Sequence, residues 1–314
     1  MTAPRQEKPL GTHRVGRHRV GRHRPEPSLS QEIIDLYDEY THLTLDRRRF
    51  FDHLTHVAGG TAAAYALLPL LENNYAEAAM VAPDDSRLKT EKITFPGASG
   101  EMMGYLARPA DASGSLPAVL VIHENRGLNP HIEDVTRRLA LEGFLALGVD
   151  FLSPAGGTPP DEDQAREMIG ALDMDQTVQD AVAAVDFLAA HPEGNGKVGA
   201  VGFCWGGAMS NQVAVNAPAI SATVAYYGRQ PSADQVARIK APVMLHYAGL
   251  DERINAGIPE FEAALKENGV DYEIFVYDNV NHAFNNDTNA ARYDEKAAEE
   301  AWTRTVNFFK EELG

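Results

Sequence analysis

The only cysteine of this 314-residue chain, Cys204, stands in the run Gly-Phe-Cys-Trp-Gly-Gly at positions 202–207. An apolar segment typical of a buried strand precedes the run, and a helical pattern follows it. Small residues two before and two after the cysteine let strand and helix approach closely, with the side chain held at the tip of the turn. The start of the following helix directs its dipole and N–H groups at the sulfur and favours the thiolate. The spacing predicts a cysteine nucleophile on a strand–helix elbow.

A thiolate nucleophile needs a base, and the base needs a carboxylate that orients it. Asp251 follows the strand-like run 243–247, and His282 follows the run 272–277. Both would lie at the carboxyl edge of a parallel sheet, beside Cys204, in the order nucleophile, acid, histidine. Taken singly, Asp251 could be a surface-turn residue and His282 a loop-capping residue. Together with Cys204 they predict a catalytic triad.

Two other histidines compete for a role at this edge. His246 lies inside a strand-like run, which favours packing in the core, and His123 precedes Glu124 at a strand end, from which it could approach the site. A single cysteine excludes an intramolecular disulfide and a zinc site built on cysteines. It also provides no resolving thiol for redox chemistry. The sequence therefore predicts neither a metal nor a cofactor.

The elements that position these residues follow a regular alternation. A β-hairpin is predicted from the runs 92–95 and 104–107, which are separated by Pro-Gly and Ser-Gly pairs. Apolar strands that alternate with amphipathic helices indicate a mostly parallel sheet with helices on both faces, which is an α/β fold. The predicted strands are 118–122, 144–149, 198–203, 222–226, 243–247 and 272–277, and the predicted helices are 132–142, 177–190, 205–215, 259–266 and 291–311.

The chain divides into three parts. Residues 1–27 read as a disordered basic tail, residues 28–85 as a helical extension or leader, and residues 86–314 as the catalytic domain. The formal net charge of -17 disfavours nucleic acid as a partner, since phosphate binding needs clustered Lys and Arg. No apolar run is long enough for a membrane span. A homodimer is compatible with this sequence.

One stretch of the extension resembles an export signal. Arg47, Arg48 and Arg49 precede the apolar run 57–71, and Ala-Glu-Ala follows at 76–78. The alternative is a helical hairpin that packs on the catalytic domain and is not cleaved. The long segment before the arginines favours this alternative, so a cytoplasmic location is predicted, with periplasmic export through a twin-arginine signal as the alternative.

Residues 91–313 resemble the dienelactone hydrolase family, as an extended bacterial member with an N-terminal helical segment. The motifs that carry the resemblance are Val-Ile-His-Glu-Asn-Arg-Gly at 121–127, the elbow at 202–207, Tyr-Tyr-Gly at 226–228, Leu-Asp at 250–251 and Asn-His-Ala-Phe at 281–284. The resemblance implies an α/β-hydrolase fold and a carboxymethylenebutenolidase-like ester hydrolase with a Cys-Asp-His triad. It also implies that Glu124 contacts the resting nucleophile and that the backbone N–H groups of Asn125 and Trp205 form an oxyanion hole.

The substrate pocket departs from the family's pattern. Dienelactone hydrolases hold the substrate carboxylate with arginines, and one of these arginines would stand where this chain has Asn286. Arg126, Arg166 and Arg229 are candidates to supply the cation instead, and Tyr227 and Asn286 are further candidates for substrate contact. The predicted function is hydrolysis of a small ester or lactone. The alternatives are a non-catalytic ligand-binding protein and a C–C or halide hydrolase on the same fold.

Overall fold

The computed structural model of the protein describes residues 29–42 and 44–314, so the predicted basic tail at 1–27 lies outside the described residues. An eight-stranded sheet forms its centre, in the order β1-β2-β4-β3-β5-β6-β7-β8. The first two strands form an antiparallel hairpin, and β2 also pairs antiparallel with β4. In the rest of the sheet, β4, β3, β5, β6, β7 and β8 are neighbours in that order and are all parallel. The strands are β1 Leu88–Pro96, β2 Glu101–Pro109, β3 Leu116–Ile122, β4 Leu145–Asp150, β5 Gly194–Phe203, β6 Ile220–Tyr226, β7 Val243–Ala248 and β8 Tyr272–Tyr277.

Helices cover both faces of this sheet, and the predicted α/β-hydrolase fold is confirmed. Alternate side chains of β3 point to opposite faces: Val119 and Val121 pack with α5 and α12, whereas Leu120 and Ile122 pack with α7 and α8. The helices of the catalytic body are α5 Pro130–Leu141, α6 Glu162–Gly170, α7 Met174–Ala189, α8 Trp205–Asn216, α9 Ala233–Val236, α10 Glu252–Asn255, α11 Ile258–Glu267 and α12 Glu295–Leu313.

The last helix begins later than the sequence pattern predicts. The prediction starts it at residue 291, but Asp294 is the N-cap, and its side chain accepts a hydrogen bond from the Ala297 N–H at 2.9 Å. The residues before Asp294 form successive turns, with backbone hydrogen bonds from Asn289 to Asn286 and from Arg292 to Asn289. These turns place Asn286 and Arg292 at the carboxyl edge of the sheet, near the predicted site.

A helical extension precedes the sheet and has a hydrophobic cluster of its own. Its helices are α1 Gln31–Thr41, α2 Arg47–Val57, α3 Thr61–Leu71 and the short α4 Tyr75–Ala78. The cluster is built from α1, α2, α3 and their connections, and Ala291 is the one residue of the catalytic body grouped with it. Hydrogen bonds attach the extension to the body, for example from the Asn74 N–H to the Thr288 carbonyl at 2.7 Å. The proposed boundary at residue 85 falls in the loop between α4 and β1.

Within the described residues, no single helix is long and apolar enough to cross a membrane. Helices α2 and α3 pass that test only when they are taken together, and a bend of 114° separates them. These two helices contain the arginines and the apolar run that resemble an export signal. Both pack in the cluster of the extension, which the prediction of a helical hairpin requires.

Candidate active site

Cys204 occupies the turn between β5 and α8 in a strained conformation. Its backbone has φ 56° and ψ -113°, which is rare for a residue with a side chain, and its N–H donates to the Tyr226 carbonyl at 3.0 Å. Such a conformation costs about 1–3 kcal/mol and persists only where the surrounding structure enforces it. The side chain is half-buried and reaches a cavity at the carboxyl edge of the sheet. The local geometry is that of the predicted elbow.

Two glycines flank Cys204 at positions where strand and helix approach each other too closely for any side chain. A Cβ on Gly202 would stand 1.8 Å from the Gly206 carbonyl oxygen. A Cβ on Gly206 would stand 2.4 Å from the carbonyl oxygens of both Ile122 and His123. These neighbours are backbone atoms, which cannot rotate away as a side chain can. The glycine spacing therefore determines how near α8 lies to β3 and β5.

We expect Gly202→Ala to lower the free energy of unfolding by about 3 kcal/mol, at the upper end of what overpacking costs. The reason is that the new methyl group can be accommodated only by moving the start of α8. Urea unfolding at equilibrium measures the change. Gly257→Ala is the matched control, because the three atoms nearest its Cβ all belong to the half-buried Gln230 side chain, the first at 2.4 Å, and that side chain can turn aside. Equal stability of the two variants would contradict the account of the elbow.

Asp251 and His282 meet at the same edge of the sheet. The Nδ1 atom of His282 donates to Asp251 Oδ2 at 2.5 Å, and Asp251 Oδ1 accepts from the Ile254 N–H at 3.1 Å. Although burial works in the opposite direction, the His282 imidazole holds the pKa of Asp251 below its ordinary value. A proton on Nδ1 leaves the Nε2 lone pair free to face Cys204. The pairing is the one that a triad requires.

The sulfur of Cys204 has a contact that the sequence did not predict. His42, at the end of α1, places its Nε2 atom 3.5 Å from Cys204 Sγ. The His42 ring also packs edge-on against the His282 ring, with centroids 4.6 Å apart. The reactive atoms of the three side chains, Sγ and the ring nitrogens, lie within 4.8 Å of one another. Two imidazoles therefore converge on one thiol.

His42 is held by the preceding turn of its own helix. Its Nδ1 atom lies 2.7 Å from the Asp38 carbonyl oxygen and 3.3 Å from the Asp38 carboxylate. Burial by itself would raise the pKa of Asp38. His282, His42 and Arg292 together nevertheless hold that pKa well below its usual range. The one signal in the sequence was the i,i+4 spacing of Asp38 and His42 on an amphipathic helix. That spacing places the two side chains on one face without indicating what the face contacts.

Glu124 lines the same cavity as Cys204, and two neighbouring side chains bind its carboxylate. Asn286 Nδ2 donates to Glu124 Oε2 at 2.7 Å, and the Tyr227 hydroxyl donates to Oε1 at 3.5 Å. Among the described contacts of the sulfur, the hydrogen-bond partner is His42 and not Glu124. Asn286 and Tyr227 both contact Glu124, and their contact with substrate stays a prediction.

The three arginines proposed for substrate binding lie in different surroundings. Arg126 lines the cavity, but it forms an ion pair with Glu162. Arg166 lies outside the cavity, because it donates to the Tyr40 carbonyl at 2.9 Å and stacks on the Tyr40 ring. Arg229 is exposed and does not line the cavity. Helix α1, which the sequence could not place, thus covers the Arg166 guanidinium through Tyr40.

The predicted oxyanion-hole residues flank the nucleophile. Asn125 lines the cavity, and its side chain donates to the Thr41 carbonyl at 2.6 Å, while Trp205 begins α8 directly after the nucleophile. The Trp205 ring stacks on His123 with centroids 5.3 Å apart. The role of the two backbone N–H groups stays a prediction.

The two competing histidines are structural. His123 is fully buried, with Nδ1 2.6 Å from the Glu124 carbonyl oxygen, and burial lowers the pKa of its imidazole. His246 lies in β7, with Nε2 3.1 Å from Thr305 Oγ1. Burial lowers the pKa of His246 to about 3. Burial therefore favours the neutral form of both side chains, and both are packed in the core.

The cavity at this site is small, and the extension forms part of its wall. Catalytic-body residues line one side, and Thr41, His42 and Asn73 of the extension line the other. The space open to the centre of a water molecule is about 10 Å³, which is room for about one water. An ester or lactone is larger than this space, so the cavity as it stands does not hold a substrate.

Comparison with known proteins identifies the family. The sequence model of the dienelactone hydrolase family matches residues 102–313. A candidate carboxymethylenebutenolidase of Methylorubrum extorquens is 31% identical over 296 residues, which cover 88% of this chain and 97% of that protein. A candidate dienelactone hydrolase structure from Klebsiella pneumoniae has 29% identity and a TM-score of 0.64, and the match covers 71% of this chain and 98% of that one.

A second solved structure is a promiscuous, dienelactone hydrolase-like phosphotriesterase from metagenomic libraries. It has 27% identity and a TM-score of 0.67, and the match covers 73% of this chain and all of that one. The matched shares leave the helical extension largely outside these two structures. The family match, the relatives and the elbow geometry confirm the resemblance read from the motifs: the chain belongs to the dienelactone hydrolase family.

Proposed function

We propose that the protein hydrolyses small esters or lactones through a Cys204–Asp251–His282 triad and a thioester intermediate. The observation that carries the proposal is the Asp251–His282 pair, 2.5 Å apart, beside a sole cysteine on a strained strand–helix elbow. Membership of a hydrolase family supports the class of reaction. The order and roles of the three residues fit the general logic of nucleophile, base and orienting acid.

In the first half-reaction, the Cys204 thiolate attacks the carbonyl carbon of the substrate and forms a C–S bond. Backbone N–H groups of Asn125 and Trp205 would stabilise the tetrahedral oxyanion, and such donors contribute about 3–4 kcal/mol when they are aimed at the developing charge. The C–O bond then breaks, and the leaving oxygen takes the proton that His282 received from the thiol. The first half-reaction thus ends with a thioester on Cys204.

In the second half-reaction, His282 removes a proton from water, which attacks the thioester carbonyl. Asp251 holds the imidazole in the tautomer that makes this possible, since it accepts the hydrogen bond from Nδ1. The C–S bond breaks, the carboxylic acid leaves and the thiol is restored. Because a thiolate is itself a good leaving group, the site suits substrates with stabilised leaving groups, such as enol and aryl esters.

The proposal has rivals on the same fold. A ligand-binding protein without turnover would keep the cavity but lack hydrolysis, and a C–C or halide hydrolase would use the same rim on other bonds. The sole cysteine at the elbow favours acyl transfer over these, because a thiolate with a paired histidine is the arrangement that forms thioesters. A phosphotriester belongs in the substrate panel because one structural relative is named for that activity.

The test is a substrate panel combined with modification of the sole thiol. We expect the purified full chain to turn over activated aryl esters and enol lactones, and to lose that activity in proportion to alkylation of Cys204 by iodoacetamide. The mass of the intact protein counts the alkyl groups, and a single cysteine makes the assignment unambiguous. Full activity after complete alkylation would refute the nucleophile, and turnover of halides or C–C substrates alone would favour the rival chemistries.

A further inference from the structure

Two imidazoles and the only thiol of the chain meet in the cavity of the candidate site. The geometry points to a binding site for one divalent, borderline-soft cation such as Zn²⁺, held by Cys204 Sγ, His42 Nε2 and His282 Nε2. Zinc–sulfur bonds of about 2.3 Å and zinc–nitrogen bonds of about 2.0–2.1 Å at a tetrahedral angle set sulfur and nitrogen about 3.6 Å apart. Cys204 Sγ and His42 Nε2 are 3.5 Å apart, and all three atoms lie within 4.8 Å of one another.

The outer contacts of both histidines are those of metal ligands. A ligating histidine generally donates its other ring N–H to a carboxylate or a backbone carbonyl, which fixes the tautomer and the ring orientation. His282 donates Nδ1–H to Asp251, and the Nδ1 atom of His42 faces the carbonyl oxygen and the carboxylate of Asp38. His42 Nε2 therefore faces the sulfur at 3.5 Å, and the outer contact of His282 leaves its Nε2 atom available.

One of the proposed ligand atoms is buried without a partner. His282 is 5% exposed, and within residues 29–42 and 44–314 its Nε2 atom has no hydrogen-bond partner. A buried polar atom left unpaired is destabilising, and coordination of a cation would satisfy it. The cavity leaves room for about one water. That space suits a fourth, solvent ligand, the open position of a three-ligand zinc site.

The charges around the site are mixed. Asp38, Asp251 and Glu124 contribute carboxylates near the three ligands, whereas Arg253 Nη2 lies 3.0 Å from His42 Nε2. The Arg253 side chain is 38% exposed, so it can turn into solvent when a cation arrives. Coordination replaces the proton held between Cys204 and His42, and that proton is released to solvent.

An occupied site would switch the proposed hydrolase off, because the metal would hold both the nucleophile and the base. Metal binding does not depend on the hydrolase proposal, and only the loss of turnover rests on it. The sequence analysis excluded a zinc site built on cysteines because the chain has a single cysteine. The structure brings two histidines to the one cysteine from positions 162 and 78 residues away in the chain.

Titration of the purified, metal-free full chain with Co²⁺ tests the site. We expect one equivalent to produce a sulfur-to-cobalt charge-transfer band, and Zn²⁺ to remove the band by displacing cobalt. Because Cys204 is the only cysteine, histidines of the N-terminal tail cannot give this band. The readout is independent of turnover, so failure of the hydrolase proposal leaves it intact.

The variants test whether Cys204 and His42 are ligands. Cys204→Ser should abolish the band, and His42→Ala and His42→Gln should each weaken Co²⁺ binding at least ~100-fold, beyond what loss of an outer-shell partner costs. His53→Ala, an exposed histidine of the same extension, is the matched control and should bind as the wild type does. An absent band in the wild type, or equal affinity in wild type and both His42 variants, would overturn the proposal.

Discussion

Cys204→Ala is expected to lower kcat/KM for an activated aryl ester by about 10³- to 10⁶-fold, the range seen when a nucleophile is removed from a triad. The sulfur is the atom that forms the acyl intermediate, and the remaining residues can only position water and substrate. Initial rates at several substrate concentrations measure the change. Cys204→Ser should retain a small residual activity, because serine is a poorer nucleophile in a site built around a thiol.

The stability of these variants separates lost chemistry from lost folding. The side chain of Cys204 is half-buried, so its truncation should leave the urea unfolding midpoint close to that of the wild type. An alanine variant that unfolds normally and still hydrolyses the ester at the wild-type rate would exclude the thioester route. If the alanine variant has a lower urea unfolding midpoint than the wild type, the serine variant takes its place in the test.

His282→Ala is expected to reduce kcat/KM by about 10³- to 10⁴-fold, since general acid–base catalysis contributes on that scale and the oriented imidazole is lost as a whole. The expected loss is in kcat, because His282 acts on protons rather than on substrate binding. Added imidazole should restore part of the activity by occupying the space left by the ring. Steady-state kinetics with and without imidazole provide the measurement.

His53→Ala, on the exposed side of α2, is the control histidine and should behave as the wild type. A large loss in His42→Ala, combined with near-normal turnover in His282→Ala, would transfer the role of base to the Asp38–His42 pair. Such a result would keep the cysteine mechanism and change the residues that serve it.

The parts of the site that local chemistry dictates could be predicted from the sequence. The elbow follows from glycine spacing, because backbone atoms stand 1.8 Å and 2.4 Å from where side chains would begin. The Asp251–His282 pair follows from topology, because each residue ends a parallel strand at the same edge. Both inferences need only neighbours in the chain or in the sheet.

The parts that depend on how separate segments pack could not be predicted. Helix α1 shows an amphipathic pattern, but no local rule states that its polar residue His42 meets Cys204, 162 positions later. The surroundings of the candidate arginines could not be predicted for the same reason. Arg166 is positioned by Tyr40 of the extension and Arg126 by Glu162 of α6, contacts that only the folded chain defines.

The attachment of the extension has a consequence for how the cysteine is reached. The apolar cluster of the extension is formed almost entirely by the extension itself. Detaching the extension would therefore not expose the apolar core of the catalytic body to water. The contacts that would break are polar, among them Arg292 and Arg253 against Asp38. Dissolved ions weaken the more exposed pair with Arg253 more than the pair with the buried Arg292. We therefore expect added salt to ease access to the cysteine only as far as exposed pairs hold the extension in place.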